Sequence, residues 1–276
     1  MPEGDGSTGL GSVTDKPDTL SVMVYKDVLQ PAAKEVGAAL ETVAKTVQLA
    51  LAPLKLRIWS YEQIEKYFLP LLAERLQTVA HERIITPDPM VAGPTIEALR
   101  YAGHKPSLRE LYVNLLAASM DAETARKAHP GFVEIIRQLT PDDARILRLL
   151  ASREALPLVT IRAIFKQDRG YIEVKRHFSL VGHEAGCSHP ELTAGSLDNL
   201  CRLGLAEIPD GKWLSKVELY EPLEKHPEVL QTVSQIEKSG DKEPNIERKV
   251  FRLTDWGKQF CDACIAPEDS NKESTP

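Results

Sequence analysis

Prolines in this chain stand repeatedly where an apolar pattern of helical spacing begins. Candidate helices of this kind open at Pro31, Pro94, Pro106, Pro130 and Pro141. Proline is favoured at the first position of a helix, because its missing N–H would have no partner there and its φ angle is already helical. We therefore predict a succession of short helices that reaches to about residue 152.

Local signals predict where several of these helices begin and end. Ser60 is a candidate N-cap, and Pro70 should kink or split the helix that follows it. Thr140, with Asp143 three residues later, predicts a capping box at the start of another helix, and Asp142 and Asp143 lie in its first turn, where negative charge is favourable. Three prolines and a glycine between Thr86 and Pro94 predict a loop.

The hydrophobic period changes after Ala151. Short apolar runs such as LPLVTIRAIF alternate with turns, and a helical pair then surrounds AGCSHPELT. LAEIPDG reads as a strand that pairs with IERKVFRLT. The order helix, turn, helix, strand, strand, helix is typical of a winged helix-turn-helix. The connection between these strands, Val217 to Lys238, is too long for an ordinary wing and contains a helical stretch of its own.

These patterns divide the chain into four segments. We expect a disordered tail over residues 1–18, a multi-helix domain over 19–140, a winged-helix-like domain over 141–265 and a disordered acidic tail over 266–276. The expected fold class is mostly α, or α+β overall, with a long helical insertion in the wing. Since period and turn chemistry both change near residue 140, we expect the second domain to fold without the first.

Composition narrows the range of functions. The net charge of -6 argues against a protein that binds nucleic acid mainly by electrostatic attraction. The chain shows no secretory signal, and four cysteines without dense spacing fit a reducing compartment, so we expect a cytoplasmic protein. The motifs of P-loop, dinucleotide-binding, serine-hydrolase and HExxH enzymes are absent from the sequence. No common enzyme class is therefore indicated, and we expect no cofactor.

The strongest metal-ligand candidates share one stretch with the spacing H-x3-C-x-H-x11-C. They are His183, Cys187, His189 and Cys201. This is not a standard zinc pattern, so we expect no bound zinc. Cys261 and Cys264 form a C-x-x-C, but they lie in a helical apolar run and are interpreted as core cysteines rather than a redox pair.

Two segments could contact larger partners. The candidate recognition helix TAGSLDNLCRLG offers Asn199 and Arg202 as contacts for nucleic acid or another partner. With only one basic residue, this helix favours a protein partner, and DNA binding should be weak. The stretch Val36–Leu54 carries only Glu41 and Lys45 as charges, so it predicts either a buried core helix or a helix that enters a membrane after rearrangement.

The central run VAGPTIEALRYAGHKPSLRELYVNLLAASMDAETARKAHPGFVEIIRQLTPDDARIL closely resembles the abortive-infection alpha (Abi-alpha) family of bacterial proteins. APLKLRIWSYEQIEKYFLPLLAERL before it and FSLVGHEAGCSHPELTAGSLDNLCRLGLAEI after it are also similar to the family, so the likeness covers about residues 30–265. The resemblance implies a bacterial cytoplasmic protein of abortive infection, in which an infected cell stops growing before phage matures. It offers motif positions without assigned roles at Asn114, Ser119, Met120, Asp121, Lys127, His129 and Pro130.

Among these motif residues, His129 has the side chain best suited to acid–base catalysis. It precedes Pro130, a position that disfavours helical geometry, so we expect it at a joint between helices. No nucleophile stands at a readable spacing from it, which favours a structural histidine over a catalytic one.

The leading hypothesis is a phage-defence protein that binds a cellular or phage component and is not an enzyme. The alternatives are a membrane-active toxin that uses Val36–Leu54 and a nucleic-acid-binding regulator that uses the winged helix.

Overall fold

The computed structural model describes residues 58–153 and 155–265. The two predicted tails and the Val36–Leu54 segment lie outside these residues. Helices lie at Tyr61–Tyr67 (α1), Leu69–Leu76 (α2), Pro89–Ala102 (α3), Pro106–Ser119 (α4), Gly131–Arg137 (α5), Pro141–Arg153 (α6), Val181–Glu184 (α7), Thr193–Arg202 (α8), Glu221–Glu224 (α9), Pro227–Lys238 (α10) and Asp255–Cys264 (α11). Strands lie at Ala155–Phe165 (β1), Tyr171–Phe178 (β2), Ala206–Glu207 (β3) and Lys242–Leu253 (β4).

The start of α1 and its separation from α2 follow the local sequence signals. The Ser60 hydroxyl accepts a hydrogen bond from the Gln63 amide at 3.3 Å, and the Gln63 side chain accepts one from the Ser60 amide at 3.0 Å. This reciprocal capping satisfies two amides that a helix start leaves unpaired. The helix then breaks at Phe68, two residues before Pro70. Both predictions for this stretch are confirmed.

The loop predicted over Thr86–Pro94 is wrong from Pro89 onward. Helix α3 begins at Pro89 and continues through Pro94. The side chain of Asp88 caps this start by accepting a hydrogen bond at 2.8 Å from the amide two residues later. Pro94 lies close to the helix start, where it removes only one backbone hydrogen bond, and Leu99 beyond it is fully buried. The capping signal and core packing therefore outweigh the helix-breaking tendency of the second proline.

The strands form an antiparallel sheet in the order β2-β1-β4-β3. Strand β1 pairs with β4 along its full length, from Ala155 opposite Arg252 to Phe165 opposite Lys242. Ala206 of β3 stands opposite Leu253 of β4, which confirms the predicted pairing of LAEIPDG with IERKVFRLT. The predicted helix of the long connection is present as α10. The described chain is thus mostly helical with a small four-stranded antiparallel sheet.

The described chain buries two groups of apolar side chains. The larger core draws on both sides of residue 140 and includes Leu99, Leu111, Phe132, Leu197, Phe251 and Phe260. A smaller core lies between one face of β1 and the connection that precedes β4, and it comprises Val159, Ile161, Ala163, Phe178, Tyr220, Leu223, Val229 and Ile236. Independent folding of residues 141–265 stays a prediction. Such a fragment would leave the surface of α11 that packs on α4 exposed to water.

Replacing Gly257 by alanine should lower stability. A Cβ at this position would lie 1.8 Å from the carbonyl oxygen of Leu205, so α11 and the backbone before β3 would have to separate. Overpacking of this kind costs about 1–3 kcal/mol. Gly93→Ala is the matched control, because a Cβ there meets nothing within 4 Å and alanine favours the helix by up to about 1 kcal/mol. Denaturant unfolding measures both changes, and equal stability of the two variants would contradict the packing argument.

Candidate functional site

A cleft of about 690 Å³ lies between the start of α6, residues 188–192 and the first turns of α8. Clefts that bind ligands usually enclose about 300–1,000 Å³. Asn199, a candidate partner contact predicted from the sequence, and His189, one of the weak metal-ligand candidates, both line this cleft. We call it the α6–α8 cleft.

The start of α6 builds one wall of the cleft. The Thr140 amide donates to the Asp143 carboxylate at 2.8 Å, and the Asp143 amide donates to the Thr140 hydroxyl at 3.0 Å, so the predicted capping box is confirmed. The neighbouring Asp142 accepts hydrogen bonds from the amides of Ser188 and His189, at 2.9 and 3.0 Å. One helix start therefore also holds a loop that lies more than forty residues further along the chain.

The carboxyl group of Asp142 is held in its charged form. Burial raises its pKa, whereas hydrogen bonds from the Ser188 and His189 amides and from Arg145 lower it, and the net shift is downward. Arg145 also pairs directly with this carboxylate. Sequence reasoning assigned Asp142 only a favourable place in the first turn of α6. Its contact with residues 188–189 was missed, because no local pattern links positions so far apart.

Polar side chains of α8 form hydrogen bonds with the start of α6 and with Gln138 just before it. The Asn199 amide group donates to the Asp143 carboxylate at 3.0 Å and to the Gln138 carbonyl at 3.2 Å. Arg202 donates to the side-chain oxygens of Asn199 and Gln138, at 2.7 and 3.1 Å. The two candidate partner contacts of the recognition-like helix thus have internal hydrogen bonds, and their contact with nucleic acid or protein stays a prediction.

The cleft carries more negative than positive charge. Asp142, Asp143 and Glu191 bring three carboxylates to its lining, and Arg145 pairs with Asp142 alone among them. The pKa of Glu191 is lowered by a hydrogen bond from its own backbone amide and then by His189, whose ring lies 3.2 Å from it. Beside these groups the side chain of Leu192 is 62% exposed. The arrangement favours a cationic ligand that also offers an apolar contact.

The family-motif positions lie elsewhere, and three of them contact α11. The Asn114 side chain donates to the Cys264 carbonyl at 2.9 Å, and the Lys127 ammonium lies 3.2 Å from the carboxylate of Asp262. The ring of His129 stands edge-on to Trp256 with 5.0 Å between ring centres. These contacts join the α4–α5 connection to the last helix of the described chain.

The remaining motif positions form hydrogen bonds in or beside the α4–α5 connection, or lie directly before α5. The Ser119 hydroxyl donates to the Leu116 carbonyl at 2.7 Å, and the Met120 carbonyl accepts from the Ile85 amide at 2.8 Å. Asp121 accepts from Arg83 Nε at 2.9 Å, and this hydrogen bond lowers the pKa of the Asp121 carboxyl. Pro130 immediately precedes α5, while the Nδ1 atom of His129 accepts a hydrogen bond from the Gly131 amide.

The four candidate metal ligands are not gathered into a metal site among the described residues. Cys187 lies 3.7 Å from the Asp142 carbonyl, and burial raises the pKa of its thiol to about 11. Burial also raises the pKa of Cys201 to about 11, and His183 belongs to the short helix α7. Among residues 58–153 and 155–265, no group of three or more His, Cys, Asp or Glu side chains is placed to hold a metal ion.

The C-x-x-C cysteines are both buried in α11, and both are free thiols. Burial raises the pKa of Cys261 to about 12 and that of Cys264 still further. A thiol with such a pKa supplies almost no thiolate, which is the form that reacts. The interpretation of this pair as core cysteines agrees with its burial.

Asp142→Ala should destabilise the cleft. Loss of the carboxylate leaves the Ser188 and His189 amides without their acceptor, and hydrogen bonds to a charged group contribute about 1.5–3 kcal/mol each. Because folding lowers the pKa of Asp142, its contribution is present above about pH 4 and is lost as the pH falls through the folded-state value. Unfolding at neutral and strongly acidic pH should show the difference between wild type and variant shrinking in acid.

The matched control is Asp262→Ala, which removes a carboxylate that is 57% exposed and, among the described residues, pairs only with Lys127. Exposed ion pairs contribute about 0–1 kcal/mol, so this variant should stay close to wild type. Equal effects of the two substitutions at neutral pH would contradict the role assigned to Asp142.

No helix among the described residues is both long and apolar enough to cross a membrane.

A family model described as abortive infection alpha matches residues 60–264. No curated protein matches the chain. One solved structure, an uncharacterized protein from the hydrocarbon-degrading marine bacterium Alcanivorax borkumensis SK2, has 23% identity and a TM-score of 0.36, covering 48% of this chain and 90% of that chain. The family match spans most of the sequence and agrees with the motifs described above, so the chain belongs to the abortive infection alpha family.

Proposed function

We propose that this chain is a bacterial, cytoplasmic phage-defence protein that acts by binding a protein partner in the α6–α8 cleft. Membership of the abortive infection alpha family supports the defence role. The observation that carries the binding mode is the acidic lining of the cleft beside an exposed leucine, Leu192. A basic segment of a partner that also presents an apolar side chain complements both features.

The order of elements supports a winged-helix-like arrangement as part of this proposal. Helix α6 precedes β1, helices α7 and α8 follow, and β1, β4 and β3 are neighbours in the sheet. In this proposal the insertion that contains α10, between β3 and β4, takes the position of the wing. Many proteins with such a domain bind proteins rather than DNA, because fold alone does not determine the ligand.

Charge favours a protein partner over nucleic acid. The carboxylates of Asp142, Asp143 and Glu191 would repel phosphates at the helix that would otherwise approach a DNA groove. Arg202 is the only base of α8, and it is hydrogen-bonded to Asn199 and Gln138. Binding of duplex DNA would have to break these contacts.

The membrane-active alternative depends on Val36–Leu54, which lies outside the described residues. Membrane potential measured in cells that express the protein, with and without phage, tests it directly. A loss of potential that precedes any other change would favour that alternative over the binding proposal.

Changing the cleft surface should remove phage defence without unfolding the protein. Glu191→Lys combined with Leu192→Ser reverses a charge and deletes the exposed apolar contact, and both side chains are largely exposed. Bacteria that express this variant should lose protection in plaque assays, while thermal unfolding of the purified protein stays close to wild type. Glu237→Lys on α10 is the matched control, because it makes the same charge change on an exposed residue outside the cleft.

Full protection by the double variant would exclude the cleft as the binding site. Equal loss of protection in the Glu237→Lys control would show that net charge, rather than the cleft, determines activity.

Binding of duplex DNA should be weak and strongly dependent on salt. We expect a dissociation constant no tighter than about 1 µM at physiological salt, which is typical of non-specific contacts. Fluorescence anisotropy with random and genomic duplexes measures it, and Arg202→Ala should change it little. Sequence-specific nanomolar binding that Arg202→Ala abolishes would instead make the chain a nucleic-acid-binding regulator.

A further inference from the structure

A second cavity, of about 310 Å³, lies between α3, α4 and α5 and is separate from the α6–α8 cleft. Its apolar wall includes Ala98, Leu108, Ile136 and Leu139. This volume is at the lower end of the range for small-molecule sites. No family motif position and no residue of the α6–α8 cleft lines it.

Tyr112 lines this cavity and is fully buried. Its hydroxyl group is without a hydrogen-bond partner among the described residues. Burial raises the pKa of this phenol, and Arg137 and Glu134 are the nearest charged groups that act on it. The phenol therefore stays protonated at neutral pH and can donate one hydrogen bond. A buried donor without an acceptor is unfavourable, which makes an acceptor supplied by a ligand energetically useful.

Two cations and one anion line the rim of the cavity, Lys105, Arg137 and Glu97. Glu134, which does not line the cavity, pairs with Arg137. Lys105 is exposed and has no ion pair in the part of the chain that the structure describes. The guanidinium of Arg137 lies 3.6 Å from the carboxylate of Glu134, beyond ordinary hydrogen-bond distance. Both cations can therefore take part in binding an anion.

We propose that this cavity binds a small amphipathic carboxylate. Its apolar body lies against Ala98, Leu108 and Ile136, and its carboxylate accepts the hydrogen bond of Tyr112 and pairs with Arg137 and Lys105. One ligand group accounts in this way for two separate features, the buried donor and the cationic rim. A neutral ligand satisfies only the donor. A cation is repelled by the rim.

The test uses the full protein chain and three probes that share a six-carbon body: hexanoate, hexan-1-ol and hexylamine. Calorimetric titration should show saturable hexanoate binding at millimolar concentration, with hexan-1-ol about tenfold weaker and no saturable binding of hexylamine. Inorganic phosphate tests whether charge alone is sufficient, and it should bind more weakly than hexanoate because it lacks the apolar body.

Two substitutions separate the contribution of the phenol hydroxyl to binding from that of the guanidinium. Tyr112→Phe and Arg137→Gln should each weaken hexanoate binding by about tenfold, as expected for loss of one charge-assisted hydrogen bond or ion pair. Arg137→Gln should leave hexan-1-ol binding unchanged. Arg126→Gln makes the same charge change at an exposed residue that does not line the cavity, and it should bind hexanoate like wild type.

Unfolding of each variant without ligand shows whether it is folded before its affinity is compared. Tyr112→Phe should be at least as stable as wild type, since it removes a buried hydroxyl that has no partner among the described residues. The proposal is overturned by no saturable hexanoate binding to folded protein, by equal affinity for the three probes, or by wild-type affinity in folded Tyr112→Phe and Arg137→Gln.

Discussion

The packing of α11 on α4 and α5 is the contact on which the rest of the described structure depends. The ring of Phe132 lies 4.6 Å from that of Trp256 and 5.1 Å from that of Phe260, and both partners belong to α11. Aromatic pairs at these distances combine a large buried area with favourable tilted or edge-on geometry. Because α11 is the last helix of the described chain and α5 lies before residue 140, this contact brings segments that are distant in sequence into one core.

Three of the family-motif positions lie at this contact. Asn114, Lys127 and His129 all contact α11, so polar side chains of α4 and of the α4–α5 connection take part in helix docking. The α6–α8 cleft makes different use of polar side chains. There, Asp142 and Asp143 complete the start of a helix and at the same time hold residues of α8 and of the preceding loop. Charge that stabilises the fold thus also defines the surface offered to a partner.

The sequence predicts the structure best where a helix start or break is determined by residues that are neighbours in the chain. Ser60, Pro70 and the pair Thr140–Asp143 act within one turn of helix, and each could be interpreted from neighbouring residues. The sequence predicted the helix from Pro94 onward but assigned its first turn, from Pro89, to a loop. That this helix continues through Pro94 depends in part on packing against distant helices, which local signals do not reveal. The same limit applies to the candidate sites. The Ser188 and His189 amides that bind Asp142 lie more than forty residues away. That the Tyr112 hydroxyl has no hydrogen-bond partner among the described residues becomes apparent only when its surroundings are known.

The division of buried side chains into two cores has a dynamic consequence. The connection that carries α9 and α10 covers one face of β1 with a small core of its own, in which Tyr220 and Val229 are fully buried. A small core holds its segment by less free energy than a large one, so such a segment opens locally without global unfolding. Amide hydrogens of α10 should therefore exchange with solvent through a separate opening event, while those of α4 exchange only when the whole molecule unfolds.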